Sequence, residues 1–85
     1  MEITICYFAK IREQLGLSEE KLILPEGCEN TEKLLQHLRS RGEQWAHVFS
    51  GNQKVIKAVN HEVLSECCVL NDGDEVAFFP PVTGG

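Results

Sequence analysis

The chain has 85 residues, 42% of them hydrophobic and 25% charged, which is ordinary for one globular domain that folds without metal or disulfide. Its net charge of −5 argues against nucleic acid or anionic membrane as partner, because phosphate binding needs clustered Lys and Arg, and it favours a basic protein surface. The first residues lack the basic region and cleavage site of a secretory signal, and no apolar run reaches the roughly 20 residues of a membrane span. We therefore expect a cytoplasmic protein.

The first third of the chain predicts two strands around a short helix. Apolar residues alternate over residues 2–9, with Ile3, Ile5 and Tyr7 on one face of a strand and Phe8 on the other. Ile11 and Leu15 lie four apart before Gly16, which indicates a short helix with a glycine stop, and residues 20–24 read as a second strand.

The main helix is predicted to follow Asn30, a good N-cap, and to end at Gly42. Its apolar stripe consists of Leu34, Leu35 and Leu38. Residues 45–49 indicate an extra helical turn, residues 54–59 a third strand and residues 63–64 a brief fourth element. A turn at residues 71–74 precedes the last strand, residues 75–79.

This order of elements predicts an α+β fold in which one mixed sheet carries the main helix on a single face. In the last strand, Val76 and Phe78 point to one face, and Ala77 and Phe79 point to the other. Phe79, with Phe8, is then expected to form an apolar patch of the kind that marks a partner surface. The alternative is that residues 45–49 or a loop cover these side chains.

The last six residues predict a projecting arm. Pro80 and Pro81 offer no N–H to a sheet, so the chain must leave the body there and can extend roughly 20 Å. Gly84 and Gly85 have no Cβ, which leaves the terminal carboxyl carbon open to attack. A carboxylate needs prior activation, most simply as a mixed anhydride with AMP, before a sulfur or amine nucleophile attacks it. The alternative is a frayed, solvated tail.

The last strand and the arm together form a specific motif, Asp-Gly-Asp-Glu-Val followed by Phe-Phe-Pro-Pro-Val-Thr-Gly-Gly. With this motif, residues 8–13, 36–38, 45–46, 58–60 and 70–85 resemble the small, sulfur-carrying subunits of molybdopterin synthase. The resemblance implies a β-grasp, ubiquitin-like fold over residues 1–79 and a flexible, reactive tail over residues 80–85.

The resemblance also implies the chemistry. Gly85 would be adenylated by an ATP-dependent activating enzyme and converted to a thiocarboxylate by a sulfur-donor protein. The thiocarboxylate would then attack cyclic pyranopterin monophosphate within a heterotetramer of two small and two large subunits. This chain would bind no cofactor of its own, since ATP is used by the activating partner, and it would have no active site when alone.

The site residues implied by the resemblance fall into two groups besides Gly85. The arm that enters the channel of the large subunit would consist of Pro80, Pro81, Val82, Thr83 and Gly84. The partner surface would include Phe8, Arg12, Val63 and Phe79.

The cysteines and histidines predict no further site. Cys67 and Cys68 are adjacent, which is not the spacing of a redox or zinc motif, and the other cysteines and the histidines share no ligand spacing. Two alternatives to the sulfur carrier stay open: a ubiquitin-like modifier or carrier for another pathway, and an inert β-grasp binding module. Activated chemistry at Gly85 separates both carriers from the binding module, and the acceptor separates the two carriers from each other.

Overall fold

The computed structural model describes residues 1–51, 53–64 and 66–81. Its elements are β1 Glu2–Tyr7, α1 Ala9–Leu15, β2 Glu19–Ile23, α2 Thr31–Arg39, α3 Glu43–Val48, β3 Ile56–Val59, β4 Glu62–Leu64 and β5 Glu75–Phe79. Every predicted element is present, with shifts of one to three residues at some boundaries, as at β3, which begins at residue 56 rather than 54.

The strands form one sheet in the order β2-β1-β5-β3-β4. The central pair, β1 and β5, is parallel and sets Tyr7 opposite Phe78, whereas the neighbouring pairs are antiparallel. A strand that is parallel to a distant partner needs a crossover, and the helices supply it. The predicted mixed sheet and the α+β, ubiquitin-like β-grasp architecture are confirmed.

One face of the sheet is the core. Ile5 and Tyr7 of β1 lie beside Val76 and Phe78 of β5, and these side chains are buried. The helices cover this face with a second set of buried residues, namely Leu34, Leu38, Val48 and Phe49. Each fully buried side chain of this size contributes about 1.5–3 kcal/mol relative to exposure, so the helix-covered face provides most of the stability.

The helix α3 packs on the same face through an aromatic cluster. Trp45 contacts Tyr7 edge-on with ring centroids 5.7 Å apart, and Phe49 contacts Phe78 in the same way at 5.0 Å. Residues 45–49 therefore lie on the core face, and the alternative that they cover the face of Phe79 is wrong.

The helix α2 begins as predicted, since the Asn30 side chain accepts a hydrogen bond from the Lys33 N–H at 2.8 Å. The predicted end at Gly42 is wrong, because the helix stops at Arg39. Ser40 closes the last turn by donating its hydroxyl to the His37 carbonyl at 2.6 Å. Gly42 instead starts α3 at φ 155°, a conformation that residues with a Cβ rarely adopt.

Carboxylates and an amide fasten the start of β5 to its neighbours. Asp72 accepts the Glu2 N–H at 2.7 Å, which ties the turn to the start of β1. Asp74 accepts the Asn60 side-chain amide at 3.0 Å, and Asn60 accepts the Glu75 N–H at the same distance. These bonds fix the register of the sheet at the end away from Phe79.

A network of hydrogen bonds and one ion pair connects the turn after α2 to β2. Glu20, whose side chain is 14% exposed, accepts two hydrogen bonds from Arg41 at 2.8 and 3.1 Å and one from the Tyr7 hydroxyl at 2.7 Å. The Arg41 guanidinium also lies 4.3 Å above the Trp45 ring. Burial alone would raise the pKa of Glu20, but the hydrogen bonds from Arg41 and Tyr7 and the Arg41 charge outweigh it and lower the pKa.

Replacing Glu20 with Gln is expected to reduce the free energy of unfolding by about 1–2 kcal/mol at neutral pH, because charge-assisted hydrogen bonds are lost. A carboxyl whose folded pKa is lowered stabilises the fold above its unfolded pKa, and this stabilisation is lost as the pH falls through the folded value. Urea unfolding at neutral pH and at roughly pH 3 checks this, since the gap between the two proteins should narrow in acid. The exposed Glu26, as Glu26→Gln, is the control, and a gap that stays constant with pH would contradict the account.

Candidate functional site

The tail root lies at the end of the central strand. The strand β5 ends at Phe79, followed by Pro80 and the exposed Pro81, as expected from residues that cannot donate to a ladder. Since β5 lies between β1 and β3, the chain leaves the sheet at its middle. The other predicted arm residues Val82, Thr83 and Gly84, and the reactive Gly85, lie outside the described residues.

The sheet face opposite the helices, called here the open face, carries apolar side chains beside this root. Phe8 is 47% exposed and continues the extended backbone of β1, and its N–H donates to the Phe78 carbonyl at 3.0 Å. Alternation therefore sets Phe8 and Phe79 side by side on the open face. Val63, 66% exposed, lies on the same face in β4, two strands from β5.

The register adds two residues of β3 to this apolar patch that the sequence analysis did not include. Ile56 lies opposite Phe79, and Ala58 lies between Ala77 and Val63. Their spacing of two residues in β3 was a usable signal once the face of Phe79 was known. The small side chains in the middle make the patch shallow, with larger side chains at its rim.

The structure brings Phe8 and Phe79 together and places Val63 on the same face. Arg12 is exposed on α1, one turn after Phe8. Its position at the tail end of the sheet is compatible with the predicted partner surface, although no described residue forms an ion pair with it.

Comparisons with known proteins agree over the whole chain. Residues 5–85 match the ThiS family. The molybdopterin synthase sulfur carrier subunit of Escherichia coli (strain K12) is 39% identical over 83 residues, which cover 98% of this chain and 99% of that protein. The chain belongs to the ThiS family, among the molybdopterin synthase sulfur carrier subunits.

Solved structures agree with this placement in the ThiS family. A putative molybdopterin converting factor subunit 1 from Pyrococcus furiosus is 31% identical, has a TM-score of 0.75, and covers 96% of this chain and 99% of its own. A chain of the complex of subunit 1 and 2 of the molybdopterin-converting factor from Helicobacter pylori 26695 superposes with a TM-score of 0.72 over 100% of both chains. At 21% identity, the latter likeness shows the fold alone.

Some residues of the sequence motif in this ThiS-family chain stabilise the fold rather than belong to the arm. Asn60, Asp72 and Asp74 bind the sheet together at the end away from Phe79, through the hydrogen bonds described above. The residues of the motif therefore have two roles: its first half fixes the start of β5, and its second half forms the tail root.

The thiols of this ThiS-family chain are unpaired, and the environment of one of them, Cys6, makes it poorly reactive. All four cysteines are free thiols. Burial and the nearby Glu75 and Glu19 raise the pKa of Cys6, which keeps it protonated and poorly nucleophilic. Among the described residues, no three His, Cys, Asp or Glu side chains lie together as metal ligands, and no helix is long and apolar enough to cross a membrane.

Proposed function

We propose that the chain delivers sulfur to a pterin as a thiocarboxylate on Gly85, as the small subunit of a molybdopterin synthase. The observation that carries this proposal is the family match, which extends through residue 85 and so includes the whole arm. The fold supports it, because β5 directs the chain out of the middle of the sheet beside an apolar patch.

The proposed reaction starts at the Gly85 carboxylate. One carboxylate oxygen attacks the α-phosphorus of ATP on an adenylating enzyme, and pyrophosphate leaves. Sulfur at the oxidation level of sulfide, supplied by a sulfur-donor protein, then attacks the acyl carbon, and AMP leaves. The product is a thiocarboxylate, which is ionised at neutral pH and carries a soft, nucleophilic sulfur.

The thiocarboxylate sulfur then forms a bond to a carbon of cyclic pyranopterin monophosphate, and a carbon–oxygen bond at that carbon breaks, so that sulfur takes the place of oxygen. Water cleaves the acyl–sulfur bond and returns the Gly85 carboxylate, so two rounds supply the two sulfurs of the dithiolene. Covalent tethering holds the sulfur at a high effective concentration and avoids releasing sulfide.

We propose a division of labour between residues 1–79, which fold and dock, and residues 80–85, which form the arm. The arm enters a channel of the large subunit, in a heterotetramer of two small and two large subunits. Phe8, Val63 and Phe79, with the added Ile56, make the apolar contact, and Arg12 lies near it. Acid–base groups are supplied by the large subunit, since the carrier needs no catalytic side chain of its own.

Intact-mass spectrometry tests the proposal. The protein is incubated with ATP, its adenylating enzyme and a sulfur donor, and then with the large subunit and cyclic pyranopterin monophosphate. We expect a mass gain equal to the exchange of one oxygen for sulfur, mapped to Gly85, which disappears as molybdopterin forms.

Three results would overturn the proposal in different ways. A thiocarboxylate that the pterin leaves intact would make the chain a carrier for another acceptor. An isopeptide bond between Gly85 and a protein lysine would make it a modifier. No activation by a competent adenylating enzyme would make it a binding module.

A further inference from the structure

Lysines lie near the tail end of the sheet in a chain whose net charge is −5. Lys57 lies opposite Phe78 at the start of β3, and Lys54 precedes the same strand. Gln53 exchanges side-chain amide hydrogen bonds with Gln14 at 2.8 and 3.2 Å, which joins this segment to α1, where Lys10 lies. The opposite end of the sheet carries carboxylates, namely Glu2, Glu62, Asp72, Asp74 and Glu75.

The two lysines line a groove at the β3–β4 edge. The groove has a volume of about 420 Å³. Its described lining combines two cationic residues with four apolar ones and includes no carboxylate: Lys54, Val55, Ile56, Lys57, Val63 and Leu64. Neither lysine forms an ion pair with any described residue. A mainly apolar lining that includes two lysines without ion pairs suits an apolar side chain flanked by carboxylates.

The groove continues the apolar patch of the open face. Ile56 lines the groove and lies opposite Phe79, and Val63 belongs to both surfaces. A protein that covers Phe79 and Ile56 therefore borders this groove. Because Lys57 lies opposite Phe78, it belongs to the other face of β3, and a segment that contacts both lysines has to wrap around the β3–β4 edge.

We propose that the groove binds an acidic segment of the tail-accepting large subunit, in which carboxylates pair with Lys54 and Lys57 on either side of an apolar side chain. This inference rests on the proposed function, since it names the chemistry of the same partner. It reverses the expectation from net charge: the surface beside the tail root needs an acidic complement, although the whole chain has a charge of −5.

The test is the affinity of the large subunit for four forms of this chain at two salt concentrations. The double reversal Lys54→Glu/Lys57→Glu is expected to weaken binding by at least about 30-fold at roughly 50 mM salt, and by much less at roughly 0.5 M, where exposed charges are screened. The charge-preserving Lys54→Arg/Lys57→Arg should bind like the unaltered chain. Lys21→Glu makes the same kind of charge change on β2, at the opposite edge of the sheet, and should change binding by less than about threefold.

Carbodiimide cross-linking gives a second readout, because it joins amines directly to contacting carboxylates. Lys54 or Lys57 should cross-link to an Asp or Glu of the large subunit, and the arginine variant should lose these cross-links while keeping its affinity. Circular dichroism checks that each variant folds. If the double variant does not fold, Lys54→Glu alone replaces it in the binding test, because the Lys54 side chain is exposed.

The outcomes separate the two proposals. If the unaltered chain binds the large subunit and the lysine reversals bind equally well, the groove inference is wrong and the proposed function stands. If Lys21→Glu weakens binding as much as the reversals do, the effect is one of net charge, and the inference is wrong. If the unaltered chain does not bind, the proposed function fails and the inference falls with it.

Discussion

Removal of Gly85 is expected to abolish sulfur transfer and to leave the fold unchanged. The shortened chain still ends in a glycine carboxylate, so the chemistry of the group is preserved and only its reach changes. One extended residue spans about 3.3–3.6 Å, which equals the whole distance between reacting atoms in a near-attack geometry. A carbonyl held one residue short therefore cannot meet the nucleophile, and we expect a loss of at least about 1,000-fold in rate.

Single-turnover molybdopterin formation and thermal unfolding, measured on the same samples, check this prediction. The control is Thr83→Ser, which keeps the length and terminus of the arm and should retain most of the activity. A midpoint of unfolding that drops by more than about 4 °C would place residue 85 in the folded body, because such a drop corresponds to roughly 1 kcal/mol in a domain of this size. Residual activity near that of the unaltered chain would make the position of the carboxylate unimportant.

Replacing Phe79 with Asp is expected to weaken docking of the large subunit by about 30-fold or more while the chain still folds. Phe79 is half-buried on the open face, and its neighbour Phe78 is 1% exposed among the core aromatics. Aromatic side chains at the centre of an interface commonly contribute 2 kcal/mol or more, which corresponds to about 30-fold in affinity. The matched change Phe78→Asp sets a charge in the core and should prevent folding altogether.

Calorimetric titration with the large subunit and circular dichroism together separate these two results. The adjacent positions form a matched pair, because they share the residue type and the substitution and differ in the face of β5. Loss of folding in both variants would place Phe79 in the core. Unaltered affinity in a folded Phe79→Asp chain would remove the open face from the docking surface.

Much of this fold is predictable from local patterns. Alternation in β1 and β5 separated the buried Tyr7 and Phe78 from the exposed side of the sheet, and the Asn30 cap placed the start of α2. These signals act over a few residues, so one sequence contains them in full. The end of α2 was wrong because a glycine after a helical stripe reads as a stop, whereas Gly42 here begins the next helix.

The remaining features depend on contacts between distant parts of the chain. Glu20 meets Arg41 only because the turn after α2 passes over β2, and no spacing rule links residues 21 apart. Ile56 and Val63 join the open face through strand register, which local alternation does not supply. For the candidate site, the sequence indicated the apolar residues Phe8 and Phe79, but the cationic groove beside them required the structure.

The parallel pairing of β1 with β5 has a consequence for synthesis of the protein. The strand β5 is the last element in chain order and the middle one in the sheet. During synthesis, β1 and β3 therefore lack their shared neighbour until β5 has been made. A nascent chain that stops before β5 has one unpaired edge on β1, one on β3 and an open core, which is the form that proteases degrade. Synthesis adds Gly85 only six residues after the end of β5, so every chain that contains the reactive glycine also contains the strand needed to present it.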